Sequence, residues 1–205
     1  LMWRSQREWS NVLVVPREAF GHQANVTAML LEQVRTPLVL FVEHDAPIYG
    51  SIPWEAFNVA IHQGAANMIR LAHESSVLPS HAHLMLDKTP ALLAVGGERE
   101  ARAVRTVQWS QRPHLAPTWW YRELLAKHFA PQSRTMIEDV MHGVVQQDWH
   151  DHGRAGWERW RVWLYHPEGD IKRSWHIDSR GDEQKFDMRY RYPAERPAGA
   201  PQETP

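Results

Sequence analysis

The sequence contains no cysteine among its 205 residues. This absence excludes a disulfide scaffold, a thiolate metal site and a cysteine nucleophile. Neither charge dominates, since the formal net charge is −1, and this balance argues against a protein that holds nucleic acid mainly through phosphate contacts. The longest apolar run, residues 37–42, is far shorter than the roughly 20 residues that a membrane span needs. The first 20 residues hold no apolar segment typical of a signal peptide, so we expect a cytoplasmic protein.

Hydrophobic residues make up 43% of the chain, which argues against a wholly disordered protein. The length predicts one domain, which we expect over residues 1–192, followed by an extended, disordered tail rich in proline and alanine over residues 193–205. The sequence is rich in histidine, with 13, and in tryptophan, with 11. Histidine supplies metal ligands and bases, and tryptophan supplies flat apolar surface, although we expect most of the tryptophans to pack in the interior.

The apolar pattern predicts an α/β fold. Residues 11–15 and 37–42 predict strands, and the helical period over residues 23–34 joins them as a βαβ unit with parallel strands. The second run is continuous and apolar, as expected for a central strand covered on both faces. The remaining predicted elements, in chain order, are helix 53–64, strands 67–72 and 81–86, a loop at 96–102, strand 103–109, helices 118–129 and 135–149, and a hairpin of 160–166 with 171–177. We therefore expect a mixed, mostly parallel sheet flanked by helices, with an antiparallel hairpin near the C-terminus.

Two acids surround a histidine directly after the predicted central strand, at Glu43-His44-Asp45. In open α/β sheets, ligands bind beyond the carboxyl ends of the strands, and paired carboxylates suit a hard cation. An ordinary polar strand exit explains the same spacing equally well, so the spacing alone leaves both interpretations open.

The segment PLVLFVEHDAP resembles the acidic metal motif of glycosyltransferases with the GT-A fold, the family-two type in particular, in which an apolar strand precedes Asp-x-Asp or Glu-x-Asp. Residues 21–25, followed by a helix, are similar to the segment before that motif. Met136-Ile137-Glu138-Asp139 resembles the Glu-Asp motif that supplies the catalytic base of inverting members. Residues 108–114 lie where such enzymes place acceptor-side residues. The pattern is similar to small transferases of phages and actinobacteria over residues 11–181.

This resemblance implies a GT-A-like fold and an inverting, metal-dependent, hexosyltransferase-like enzyme. It would move a sugar from a nucleotide-sugar donor to a hydroxyl of a protein or glycan, rather than of DNA, in the cytoplasm, or in the host cytoplasm if phage-encoded. The family's first strand would lie before residue 1, so we expect the chain to be N-terminally incomplete. The resemblance implies catalysis by Asp139 with Glu138, and Mn²⁺ or Mg²⁺ binding by Asp45 and a late histidine, His176 in preference to His166. It implies that the donor is bound by Glu43, His44 and Asn25. It implies that the acceptor is bound by Trp109, Gln111, Arg112 and His114.

Three alternatives stay open. Acids in the first turn of a helix also stabilise that helix, which explains Glu138 and Asp139 without catalysis. His81 and His83 would share one face of a strand and could bind zinc in a hydrolase, although no third or fourth ligand follows at a recognised spacing. A non-catalytic carbohydrate-binding module is the third alternative.

Overall fold

The computed structural model describes residues 12–15, 21–72, 79–131, 133–166 and 173–174. Within these ranges the protein is α/β, with a mixed six-stranded sheet flanked by helices, and none of the helices has the length and apolar character needed to cross a membrane. The strands are β1 (Leu38–Phe41), β2 (Met68–Leu71), β3 (Ala91–Gly96), β4 (Arg99–Arg105), β5 (His114–Pro117) and β6 (Val162–Tyr165). The helices are α1 (Gln23–Gln33), α2 (Trp54–His62), α3 (Thr118–His128), α4 (Ile137–His152) and α5 (Arg154–Trp160), with a 3₁₀ helix at Pro79–Leu84.

The strand order is β1-β5-β2-β6-β4-β3, and among the described strands only β2 and β6 pair in parallel. The expectation of a mostly parallel sheet is therefore wrong. β3 and β4 form a hairpin through a tight turn in which Gly97 has a φ of 59°, so they must run antiparallel. The parallel pairing of β2 with β6 requires a crossover connection between these strands. The helical segment that precedes β6 is part of that connection.

The apolar run at residues 37–42 forms β1, but this strand lies at the edge of the described sheet rather than at its centre. It pairs with β5 alone, and Leu40 is 40% exposed. The fully buried strands are β2 and β5. The predicted βαβ unit is also wrong, because residues 12–15 are not a strand, and Asn11 lies outside the described residues. The continuous apolar run therefore indicates a strand, but in β1 it corresponds neither to full burial of both faces nor to a central position.

Two further predictions are corrected. Residues 81–86, expected as a strand, lie mostly within the 3₁₀ helix. The charged run at 98–102, expected as a loop, mostly belongs to β4, which begins before the predicted strand at 103–109. Its charged side chains point outward and alternate with buried Ala101 and Ala103, a strand pattern in which small residues replace the usual large apolar ones.

The predicted helices are confirmed within a few residues at each end, as is the strand at 67–72. The first arm of the C-terminal hairpin is confirmed as β6. Its second arm lies outside the described residues apart from Arg173 and Ser174, and Ser174 forms an antiparallel bridge with Ile48. The predicted tail at 193–205 also lies outside the described residues.

The sheet separates two apolar cores, because successive residues of a strand face opposite sides. In β2, Met68 packs into the core beneath α1, α3, α4 and α5, whereas Ile69 packs into the core beneath α2. The central strands are therefore packed on both faces, and the sheet is a rigid support for the residues at the ends of its strands.

Four strands, β1, β2, β5 and β6, begin or end along one side of the sheet that runs across the strand ends. The register places Phe41, at the end of β1, opposite His114, at the start of β5. It also pairs Leu71, at the end of β2, with Tyr165, at the end of β6. Residues that follow β1, β2 and β6, and residues that precede β5, consequently meet at this edge, which we call the site edge.

The close approach of α2 to β3 depends on Gly96, since a Cβ there would lie 2.6 Å from the Cα of Ala56. We expect Gly96→Ala to lower the free energy of unfolding by about 1–3 kcal/mol through overpacking. Gly143→Ala is the matched control: an added methyl group at this helical position meets no atom within 4 Å, and alanine favours the helix. Urea denaturation measures both variants, and equal stability of Gly96→Ala and the wild type would contradict this packing.

Candidate functional site

The side-chain amide of Gln23, the first residue of α1, connects four segments at the site edge. Its Nε2 donates to Glu43 Oε1 at 2.7 Å. Its Oε1 accepts from the Nε2 of Gln111 at 3.0 Å and from the backbone N–H of Ile137 at 2.9 Å. The loop after β1, the segment before β5 and the start of α4 are thus joined to α1 by one residue. We call these contacts the Gln23 hub.

The hub also explains how α4 begins. The N-cap residue Met136 has no side-chain oxygen, so the first N–H groups of the helix need acceptors from elsewhere. Gln23 supplies one of them to Ile137. In the first turn, Glu138 Oε2 accepts the backbone N–H of Gln111 at 3.0 Å. Glu138 therefore fixes the segment before β5, while its neighbour Asp139 remains exposed to solvent.

The predicted donor-side residues lie at the same edge. Glu43 and Asp45 are half-buried, and His44 is exposed. The backbone N–H of Ala46 donates to the carbonyl of Glu43 at 3.1 Å, so the acidic segment is a tight turn. The Nδ2 of Asn25 donates to the carbonyl of Pro131, which ties α1 to the segment before α4.

A cleft of about 690 Å³ opens beside the hub. It is bounded by the ends of β2 and β6, the 3₁₀ helix, the segment before β5 and the first turns of α4. Its polar lining comprises Arg70, His81, His83, Gln108, Ser110, Arg112, Glu138, Asp139, His142 and His166. Two acids predicted from the sequence thus share a cavity with two guanidinium groups and, among the described residues, four imidazoles.

Arg70 is a lining residue that the sequence interpretation missed. It is 4% exposed, and its guanidinium donates to the carbonyl of Gln108 at 2.7 Å and to the Oε1 of Gln108 at 3.2 Å. An arginine in the middle of the apolar strand at 67–72 was the available signal, because a buried charge requires a specific environment.

His142 was also missed. It lies one turn after Glu138 on α4, so the two share a helix face. Its Nδ1 lies 3.2 Å from the carbonyl of Trp109, and an N–H at Nδ1 must donate there because a carbonyl only accepts. The spacing of Glu138, Asp139 and His142 along one helix was the sequence signal.

Three predicted acceptor-side residues, Trp109, His114 and Gln111, do not line the cleft. Trp109 is fully buried and its ring stacks on Trp120 with centroids 6.1 Å apart, so its indole presents no surface to a ligand. His114 is also buried and stacks on Phe41 at 5.0 Å. The polar neighbours of Trp109 and His114 in the sequence predict that both rings are exposed. In the structure both rings are buried, although the residues beside them in the sequence are polar. Gln111 belongs to the hub.

The surroundings of His114 keep it neutral. Burial lowers the pKa of its imidazole to about 4, and the positive charge of Arg70 adds to this, against the opposing effect of a hydrogen bond to the carbonyl of Arg112. Nδ1–H donates to that carbonyl at 2.8 Å, and Nε2 accepts from the hydroxyl of Tyr121 at 3.2 Å. Burial, with the negative charge of Glu43, also raises the pKa of Tyr121.

A metal site is not assembled within the described ranges, where no three His, Asp or Glu side chains come together as a group that could hold an ion. His81 and His83 both line the cleft, but they belong to the 3₁₀ helix rather than to one face of a strand, and the zinc hydrolase stays an alternative. His176 lies outside the described residues, so its proposed pairing with Asp45 stays a prediction.

No protein-family model and no curated protein matches this sequence. The interpretation of the site therefore depends on its own contacts. The strongest of these is the Gln23 hub, which joins both predicted acidic motifs.

Gln23→Glu tests the hub directly, since it exchanges the donor that faces Glu43 for a second carboxylate. We expect the free energy of unfolding at pH 7 to fall by about 1–3 kcal/mol, because a charged hydrogen bond is lost and two like charges meet. Protonation of either carboxylate relieves the repulsion, so the loss should shrink as the pH falls toward about 4. Gln33→Glu, at the exposed end of the same helix, is the control. Equal effects of the two substitutions in urea denaturation at both pH values would contradict the hub.

The neutral state of His114 has a measurable consequence. With a folded-state pKa of about 4 against 6.5 for the unfolded chain, the unfolded state takes up the proton first as the pH falls. The contribution of His114 to stability should be complete above pH 6.5 and fall by about 3 kcal/mol as the pH drops to about 4. Imidazole ¹⁵N shifts measure this titration, and a His114 midpoint near 6.5 would contradict the buried, neutral ring.

Proposed function

We propose that the protein is a GT-A-like, inverting, metal-dependent glycosyltransferase that moves a sugar from a nucleotide-sugar donor to a hydroxyl acceptor. The observation that supports this proposal is the Gln23 hub. It links the acidic segment at Glu43 to Gln111 and to the first turn of α4, which carries Glu138 and Asp139. Residues far apart in the chain thereby meet at one edge of the sheet, the place where open α/β sheets bind ligands.

Asp139 is the proposed catalytic base. It lines the cleft, is exposed, and forms no hydrogen bond or ion pair with the other described residues. A carboxylate in this state is available to accept the proton of the acceptor hydroxyl as the new glycosidic bond forms, a role worth about 10²–10⁴-fold in rate. Glu138 is a positioning residue, since its carboxylate is engaged by the N–H of Gln111.

The donor side is assigned to Glu43, His44, Asn25 and Asp45. A bound Mn²⁺ or Mg²⁺ would neutralise charge on the departing diphosphate. The described residues fit such an ion only in part: Asp45 supplies an oxygen ligand of the type that hard cations prefer, and His176 is outside these residues. The proton transfer to Asp139 does not depend on the ion.

The acceptor side is assigned to Arg112, with Gln111 holding the segment in place. A protein or glycan acceptor suits the chain better than DNA, because its net charge of −1 provides no general excess of cations for a duplex. The absence of cysteine agrees with a cytoplasmic site of action.

Asp139→Asn tests the proposed base. With a panel of sugar nucleotides, Mn²⁺ or Mg²⁺ and hydroxyl acceptors, we expect kcat to fall by about 10²–10⁴-fold with little change in KM. Asp151→Asn is the matched control, because Asp151 lies on the same helix outside the cleft lining. Undiminished turnover by Asp139→Asn would eliminate Asp139 as the base. Glycan binding in calorimetry, without turnover or nucleotide binding by the wild type, would instead indicate a carbohydrate-binding module.

A further inference from the structure

The polar lining of the cleft is unevenly divided between hydrogen-bond donors and acceptors. Acidic groups occur at one place among the described lining residues, the first turn of α4 with Glu138 and Asp139. The rest of the polar lining is rich in donors: guanidinium, amide, hydroxyl and imidazole groups. These come from Arg70, Arg112, Gln108, Ser110, His81, His83 and His166, whereas the Nδ1–H of His142 is already taken by the carbonyl of Trp109. The two guanidinium groups can only donate, so a ligand with acceptor oxygens suits this wall.

The guanidinium of Arg70 is held in place. Gln108 binds the guanidinium of Arg70 through both its carbonyl and its side-chain oxygen, so the charge remains at the end of β2. The effect of Arg70 on the pKa of His114 agrees with a positive local field.

Arg112 is the second cation of the wall. Its backbone N–H donates to Ser110 Oγ at 3.4 Å, and its carbonyl accepts from His114 at 2.8 Å, so the main chain is held on both sides. Its half-buried guanidinium lines the cleft and forms no ion pair with the other described residues. A planar guanidinium in such a position matches the paired oxygens of a phosphate.

His166 provides an independent observation at the end of β6. Its Nε2 atom is inaccessible to solvent and has no hydrogen-bond partner among the described residues. Buried polar atoms are hydrogen-bonded in the great majority of cases, so an unsatisfied Nε2 on a residue that lines the cleft favours a ligand that the ring can turn to meet. Nε2 can donate to an anionic oxygen when it carries the proton.

We propose that this wall binds a phosphate group carried by the hydroxyl acceptor, so that the transferase acts on a small phosphorylated hydroxyl compound. The assignment of this compound as acceptor rests on the proposed function, whereas the phosphate site itself does not. The cleft, at about 690 Å³, lies within the range of small-molecule sites. Arg112 and Asp139 line the same cavity, so one small molecule can place its phosphate at the first and its hydroxyl at the second.

Calorimetric titration of the full chain tests the phosphate site, with glycerol 3-phosphate and glycerol as matched probes. We expect the wild type to bind glycerol 3-phosphate and not glycerol. Arg112→Gln should weaken that binding by roughly tenfold or more, because a charge-assisted hydrogen bond is lost. Arg134→Gln, which removes an exposed cation outside the cleft lining, should bind as the wild type does.

Imidazole ¹⁵N spectra supply a second readout that needs no variant, since glycerol 3-phosphate should shift the His166 signal and glycerol should not. Lack of binding by the wild type, or equal binding by Arg112→Gln, would overturn the phosphate site. Competition by uridine diphosphate would also overturn the inference, because it would assign the wall to the donor's diphosphate.

The phosphate site and the glycosyltransferase activity can be contradicted independently of each other. Binding of glycerol 3-phosphate needs no transfer activity, so a protein without glycosyltransferase activity can still show the phosphate site. Turnover on neutral acceptors without any phosphate binding would instead retain the transferase and eliminate the anionic acceptor.

Discussion

The geometry of the site depends on the amide of Gln23, and the orientation of that amide is chemically determined. A backbone N–H can only donate, so the group facing Ile137 must be the side-chain oxygen. The side-chain nitrogen must then face Glu43, where a carboxylate accepts. The same oxygen also accepts from Gln111. Because every partner is matched, the four segments have one favourable arrangement at the site edge.

This arrangement places charge on rigid supports. Arg70 belongs to a central strand that is buried from both faces, and Glu138, Asp139 and His142 belong to a helix packed on the sheet. A site built on strands and helices holds its groups more accurately than one built on loops. The cleft has acids at the start of α4 and donors along the remaining wall, which suits a ligand with a hydroxyl at one end and an anionic group at the other. The two proposals are therefore complementary.

The sequence predicts the parts of this protein that local patterns control. The helical period over residues 23–34 locates α1, and an apolar run followed by acids locates β1 and the segment at Glu43. It does not predict which strand is central, because the position of β1 depends on its partners. Gln23 carries no charge, and its contacts span 20 residues to Glu43 and 114 to Ile137, so no short motif records them. The burial of Trp109 likewise results from tertiary packing that its polar neighbours do not reveal.

The most direct test of the central claim, that the Gln23 hub organises a nucleotide-sugar site, is the thermal shift of the wild type with a panel of sugar nucleotides and Mn²⁺. A ligand that binds only the folded state raises the melting temperature, by an amount that grows with its concentration relative to Kd. We expect at least one sugar nucleotide to raise the Tm of the wild type, and we expect a smaller rise for Gln23→Leu measured from its own baseline. A panel that leaves the wild-type Tm unchanged, or an equal rise in both proteins, would contradict it.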